Sequence, residues 1–245
     1  MNFSFAGGGF LGIYHVGVAI GLKKHVPHLL NKISGASAGA IAACCLLCDA
    51  SLEDTMNGVL HIAREAQKHL LGAFTPHFDL QLVLLETVEK LLPDDAHIRV
   101  NGKLHISLTR VHDRKNVIIS QFDSREDLLQ ALLAASFVPV FSGYLPPKYH
   151  GIRYMDGGFS DNLPMFDEDT ITVAPFCGES DICPRDSSLH PFHFNVTNMS
   201  VELSAQNAYR IIRAFLPPKI EMLTKIGWQG RDDALQFLRR RNLLK

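Results

Sequence analysis

Gly35-Ala36-Ser37-Ala38-Gly39 is the stretch of this sequence with the clearest chemical meaning. It has the form G-x-S-x-G, in which a serine sits on a sharp strand-to-helix turn with its hydroxyl poised to attack an acyl carbon. The neighbours must be small because the backbone turns tightly, and Gly35 and Gly39 tolerate the dihedral angles such a turn needs. Small-residue loops also produce this pattern, so its surroundings must carry the argument. A serine attacking an ester needs donors for the charge of the tetrahedral intermediate and a base for its own proton.

Two readings compete for the donors. Gly7-Gly8-Gly9-Phe10-Leu11-Gly12 matches the G-x-G-x-x-G of a dinucleotide-binding turn between a strand and a helix. That reading requires an acidic residue closing the second strand, where Ser34-Gly35-Ala36-Ser37 carries none. The alternative is an oxyanion hole built from the backbone N–H groups of Gly7, Gly8, Gly9 and Phe10, aided by the following helix N-terminus. Two successive βα turns lie side by side at one sheet edge, which brings this loop to Ser37.

The base is less obvious. The chain has twelve histidines, most of them on helices or among solvated residues. In the α/β-hydrolase order the histidine comes last, which leaves His190 and His193. Asp156 follows a short strand and precedes Gly157 and Gly158, so a neighbouring group can approach its backbone closely. A buried carboxylate acts directly as a base on serine if burial keeps its pKa high enough. Taken alone, Asp156-Gly157 reads as an ordinary Asp-Gly turn.

The elements that would position these residues follow from periodicity and breakers. Strand Asn2 to Ala6 leads through the glycines to a helix over Gly12 to His25. Strand Lys32 to Ser34 runs into the elbow and a buried helix over Ala38 to Cys48. This β-α-β-α order predicts a parallel sheet covered by helices. Helices are expected over Leu52 to Leu71 and Leu80 to Leu92, with Gly72 to Phe78 between them as a lid, an interface loop or a packed connector. Strands Leu104 to Thr109 and Asn116 to Phe122 pair antiparallel, and Ser124 caps a helix running to Ser136. Strands over Arg153 to Met155 and Thr170 to Ala174 follow. Amphipathic helices are expected over Val201 to Phe215, Lys219 to Gly227 and Asp232 to Arg240. No linker or repeat divides the 245 residues, so one domain over 1–245 is expected.

Composition narrows the function classes. Hydrophobic residues make up 47% of the chain, enough for a sizeable core, and the net charge of −1 points away from nucleic acid. The five cysteines fit no disulfide framework, and Cys45-x-x-Cys48 lies with Cys44 on the buried helix, as core residues in a reducing cytosol would. Phe3 to Leu22 is apolar but lacks a positive flank and holds six glycines, so it reads as strand, turn and helix rather than a signal or membrane span. The Asn-x-Ser/Thr triplets at Asn2, Asn195 and Asn198 are then chance matches. Arg239-Arg240-Arg241 reads as a solvated helix end or a contact for anionic head groups.

Taken together, the Gly7–Gly12 loop, the Ser37 elbow and Asp156-Gly157-Gly158 resemble the patatin-like phospholipase family. The stretches Asn2–Ala6, Ile106–Val111, Arg153–Gly158, Ser160–Pro164 and Gly178–Pro184 are similar to its adipose triglyceride lipase and brummer lipase subfamily. The resemblance implies a three-layer α/β/α sandwich around a mostly parallel sheet, and a Ser37–Asp156 dyad without histidine. The oxyanion hole would be the N–H groups around Gly8, Gly9 and Phe10, with Gly12, Gly35, Gly39, Gly157 and Gly158 as supporting motif residues. It implies hydrolysis of triacylglycerol at the lipid-droplet surface, no metal or organic cofactor, a cytoplasmic location and an α/β-hydrolase-fold coactivator protein. Phospholipids, diacylglycerol, retinyl esters and acyl transfer to an acylglycerol fit the same dyad, and a non-enzymatic droplet protein binding the coactivator is a further alternative. Position 8 is Gly here, where the subfamily usually has Cys, and the 245 residues include no long C-terminal extension of the kind that helps some relatives reach droplets.

Overall fold

The computed structural model describes residues 1–69, 72–75, 78–186 and 192–244. The chain order is β1 (Asn2–Phe5), α1 (Ile13–His25), β2 (Lys32–Ala36), α2 (Ala38–Leu47), α3 (Leu52–Gln67), α4 (Leu80–Leu91), α5 (Ala96–Val100), β3 (Leu104–Arg110), β4 (Asn116–Ile119), α6 (Arg125–Ala135), β5 (Lys148–Tyr149), β6 (Ile152–Asp156), β7 (Ile171–Val173), β8 (His193–Val196), β9 (Met199–Glu202), α7 (Ala205–Phe215) and α8 (Ile220–Arg240). This is the expected α/β architecture around a central, mostly parallel sheet. Seven strands form it in the order β5-β6-β3-β2-β1-β7, with β4 on the other edge of β3. Strands β7, β1, β2 and β3 are parallel, and β4 and β6 run antiparallel to β3.

The period-two alternation of each strand sorts its side chains onto two faces. Phe3, Phe5, Ile33, Leu104, Ile106 and Leu108 are fully buried and share one core with residues of α2 and α6. The residues that alternate with them are polar, and the segment after β6 takes up three of their hydroxyls. Ser34 donates to the Pro164 carbonyl, Ser107 donates to the Asp161 carbonyl at 2.8 Å, and Thr109 bonds Ser160 at 2.7 Å. Ser34, Ser107 and Thr109 are thus satisfied by chain rather than water, while the buried Ser4 hydroxyl has no partner among the described residues.

Strand β3 decides where the site forms. Its Ile106 and Ser107 pair with Gly35 and Ala36 of β2 on one edge and with Ile119 and Ile118 of β4 on the other. Leu108 still pairs with β4, but on the edge vacated by β2 it pairs with Asp156 of β6. Strands β2 and β6 therefore run toward each other along one edge of β3 and end head to head.

The connector after α3 is packed where it is described: Ala73 is buried and the Phe74 ring meets the Phe141 ring at 5.2 Å. The helix expected to reach Leu71 ends at Gln67 with Lys68 as its C-cap, and Pro76 and His77 of the connector lie outside the described residues. Ser124 caps α6 as expected, accepting the Asp127 N–H at 3.0 Å.

The C-terminal third differs from the expected helices. Val201 belongs to a β-hairpin, β8–β9, and α7 starts only at Ala205 behind its cap Ser204, which accepts the Asn207 N–H at 3.1 Å. The segments Lys219 to Gly227 and Asp232 to Arg240 are parts of one 21-residue helix, α8. Its Gly227 and Gly230 do not break it. They allow close contact with α1, since a Cβ on Gly17 would run into the Gly227 carbonyl and one on Gly230 into the Tyr14 carbonyl. Arg240 and Arg241 at the helix end reach back to the Asp181 carbonyl and carboxylate. Among the described residues, no helix is long and apolar enough to cross a membrane.

Candidate active site

Ser37 stands between β2 and α2 with φ 53° and ψ −132°. This left-handed conformation costs a non-glycine residue about 1–3 kcal/mol and is retained where the surroundings enforce it. The enforcement is visible: the Ser37 carbonyl already accepts the Ala40 N–H at 3.0 Å, so α2 begins at once. Gly39 has no room for a side chain, because a Cβ there would run into the carbonyls of Phe5 and Ala6. Gly35 is confined in the same way by Gly39 and Ala40. The turn therefore holds the Ser37 side chain, 8% exposed, at the wall of a cavity.

Asp156 ends β6 and faces the Ser37 hydroxyl. Its side chain accepts the Gly158 N–H at 2.8 Å, its backbone N–H donates to Phe137 and its carbonyl accepts from Thr109 Oγ1 at 2.7 Å. Burial raises the carboxyl pKa from 3.8 to about 6, while hydrogen bonds from Ser37 and the Gly158 N–H hold it down in part. Among the described residues, no cation adds to that lowering. Gly157 packs on the Ser107 carbonyl and Gly158 on Asn162, so neither position has room for a Cβ.

The Gly-rich loop forms the third side. Gly9–Gly12 make a single 3-10 turn that runs straight into α1. Among the described residues, no acceptor takes the N–H groups of Gly8, Gly9 and Phe10. Gly9 has φ +53° and lies against the Ala214 carbonyl of α7, which leaves no room for a Cβ. Gly8 abuts Pro175 and Gly12 abuts Ala38, so the loop, the segment after β7 and the elbow are in contact. Phe10 packs edge-on against Phe141 at 6.2 Å, and Phe141 also meets Phe215 at 5.2 Å. Gly7 behaves differently from the other loop residues: its N–H donates to Asn162 Oδ1 at 3.1 Å, so it has no free donor to offer.

Ser37, Asp156 and the loop all line one cavity of about 360 Å³. Ile41, Val59, Leu84 and Val88 line it from α2, α3 and α4, while Phe194, Val196 and Ile211 line it from β8 and α7. Its two helix threonines turn their hydroxyls onto their own backbones, Thr55 to Ser51 at 2.8 Å and Thr87 to Val83 at 2.7 Å. The walls are therefore apolar, as a binding site for hydrocarbon requires.

Of the histidines considered as the base, His193 lies exposed on β8 and does not line this cavity, and His190 lies outside the described residues. Asn162 is the site residue that sequence reasoning passed over, appearing only within the stretch Ser160–Pro164. Among the described residues, Cys177, Asp186 and Glu202 bring possible metal-ligating atoms within 4.8 Å. Arg210 already neutralises Asp186 at 2.6 Å, and burial pushes the Cys177 thiol up to about 11 while it donates to Glu202. This is a closed hydrogen-bonded network rather than an open metal site.

A serine on a strained elbow, facing a buried carboxylate beside free N–H groups, is the arrangement of a serine acyl-transfer centre on an α/β sheet. A family model described as patatin-like phospholipase matches residues 3–168. The chain belongs to that family. It is 47% identical to patatin-like phospholipase domain-containing protein 2 of Mus musculus over 99% of this chain and 51% of that protein. It is 42% identical to 1-acylglycerol-3-phosphate O-acyltransferase PNPLA3 of Homo sapiens, covering 99% of this chain and 51% of that one. It is 37% identical to the omega-hydroxyceramide transacylase of Homo sapiens, covering 98% and 46%. The chain thus spans about half the length of the curated relatives it matches. The crystal structure of VipD from Legionella pneumophila shares the fold, with a TM-score of 0.52 at 14% identity over 98% of this chain and 66% of that one.

Proposed function

We propose that this chain is a serine lipase that cleaves triacylglycerol ester bonds at a lipid surface. The observation that carries the reading is the Ser37 hydroxyl set against a buried Asp156 carboxylate at the wall of an apolar cavity. Asp156 takes the Ser37 proton as Oγ attacks the acyl carbon. The carbonyl oxygen gains the negative charge and is held by the N–H groups of Gly8, Gly9 and Phe10. Collapse expels the glycerol alcohol, which leaves with the proton from Asp156, and the acyl group stays on Ser37. In the second step water loses a proton to Asp156 and attacks the acyl-serine. The fatty acid departs and Ser37 recovers its proton.

A lipid surface as the working environment is supported by the cavity mouth. Phe159, Phe194, Val196 and Ile211 line the cavity and are also exposed, so its apolar lining continues onto the outside. Droplet association and stimulation by an α/β-hydrolase-fold coactivator remain part of the proposal through the family resemblance.

The relatives named as an acyltransferase and a transacylase support a second reading in which an acylglycerol hydroxyl replaces water in the second step. The same dyad serves both, because only the acceptor differs. Incubation with emulsified triacylglycerol, phospholipid or diacylglycerol, with and without an acylglycerol acceptor, separates them by product. Free fatty acid from triacylglycerol supports the lipase; acylated acceptor without free acid supports the transferase. No product from any ester, with no fluorophosphonate adduct on Ser37, rejects both and favours a non-enzymatic binding role.

A further inference from the structure

The Gly-rich loop opens with a peptide group held at both ends. The Ala6 carbonyl and the Gly7 N–H belong to one planar unit. His15 of α1 places Nε2 2.7 Å from the Ala6 oxygen. Asn162 places Oδ1 3.1 Å from the Gly7 nitrogen. Both side chains are buried, His15 completely. The His15 ring stacks on Phe5 at 5.3 Å, and Asn162 is itself anchored by its backbone N–H to the Thr197 carbonyl at 2.8 Å. Gly7 leaves no slack, since a Cβ would stand 2.6 Å from Asn162 Oδ1.

A peptide bonded through both its oxygen and its N–H cannot rotate about its flanking bonds without breaking one contact. The free N–H groups of Gly8, Gly9 and Phe10 follow within three residues, so this held peptide is the fixed point from which the loop sets out. The contact to Ala6 requires His15 to carry its proton on Nε2. That leaves Nδ1 bare, and it is buried without a partner among the described residues. Burial also pushes the His15 pKa down to about 4, keeping the ring neutral at working pH. An unpaired buried nitrogen calls for an explanation, and the task of the opposite nitrogen supplies one.

We infer that His15 and Asn162 are positioning residues for the oxyanion hole, clamping the Ala6–Gly7 peptide so that the next N–H groups converge beside Ser37. The inference rests on the reading of Ser37 and the Gly8–Phe10 loop as an acyl-transfer centre. The test compares His15→Phe, which keeps the stacked ring but no donor, with His15→Gln, which restores an N–H, and adds Asn162→Leu. A misplaced oxyanion donor costs about 10–100-fold in kcat. His15→Phe and Asn162→Leu are expected to lose that much kcat with KM within about twofold. They should weaken a trifluoromethyl ketone, which forms the tetrahedral adduct, as much as they lower kcat, and should leave an ether analogue of the substrate unaffected. His15→Gln should recover most of the rate.

Folded variants with unchanged kcat, or equal losses for the ketone and the ether analogue, overturn the clamp. A loss in His15→Gln as large as in His15→Phe overturns the part assigned to His15. Nitrogen-15 chemical shifts of the wild-type imidazole give a second test that needs no variant: Nε2 protonated and Nδ1 bare is expected, and the reverse tautomer contradicts it. Ser37→Ala run in parallel separates the two levels, since undiminished hydrolysis there sinks the acyl-transfer reading itself.

Discussion

Ser37 and Asp156 meet because Ala36 and Asp156 pair with consecutive residues of one strand, Ser107 and Leu108 of β3. Strand β2 arrives parallel and β6 antiparallel along the same edge, and each stops where the other begins. The Ser37 turn and the Asp156 carboxylate are thus brought together by sheet register, which is strongly specified where a strand face is buried.

The pH dependence of hydrolysis follows from Asp156. In the proposed mechanism only its carboxylate form accepts the serine proton, and burial raises its pKa to about 6. The rate should therefore rise through pH 6 and level off above it, measured as kcat/KM on a soluble short-chain ester. A flat profile from pH 5 to pH 8 would contradict the assignment.

The same burial makes Asp156 a stability liability at neutral pH. The folded protein binds this proton more tightly than the unfolded chain, with a pKa of about 6 against 3.8. The stabilising contribution of the protonated form is complete below about pH 4 and is lost as pH rises through 6. Asp156→Asn, neutral at every pH, should raise stability at pH 7 by up to about 3 kcal/mol relative to wild type and lose that advantage at acid pH. Urea denaturation at both pH values measures it.

Gly9→Ala should disable the site. Gly9 has φ +53° and the added methyl runs into the Ala214 carbonyl of α7. The loop must shift, taking the neighbouring N–H groups with it, so kcat is expected to fall about 100-fold. Thermal unfolding followed beside kcat separates this from global unfolding.

The apolar rim predicts a substrate-dependent effect. Phe194→Ser and Ile211→Ser remove exposed apolar area at the cavity mouth without touching the Ser37–Asp156 pair. Rates on emulsified triacylglycerol should drop about fivefold or more, while a soluble short-chain ester is cleaved at the normal rate. Equal losses on both substrates would reject a surface-docking role for the rim.

What the sequence made legible follows the range of each interaction. The elbow and the Gly loop could be read because their steric demands act over a few residues. The antiparallel β3–β4 pair and the Ser124 cap are local in the same sense. Asp156 was harder: as one Asp-Gly among ordinary turns it gained meaning only from the lack of a well-placed histidine and from the motif order. The Asn162–Gly7 and His15–Ala6 contacts were not legible, because nothing in residue type or spacing marks a side chain whose task is to hold a particular peptide group. The C-terminal corrections have two causes. Gly227 and Gly230 look like helix breaks, yet their lack of side chains serves the contact with α1. Val201, buried beside Met199 on one face of a two-stranded hairpin, belongs to a strand that ends just before the helix cap Ser204.

The most direct test of the account is kcat of Asp156→Asn on triacylglycerol and on a soluble ester, with folding checked by circular dichroism. The account predicts a loss of about 10³-fold or more on both substrates in a folded protein, with His193→Ala unaffected. A folded Asp156→Asn that hydrolyses either ester within about tenfold of the wild-type rate would contradict it.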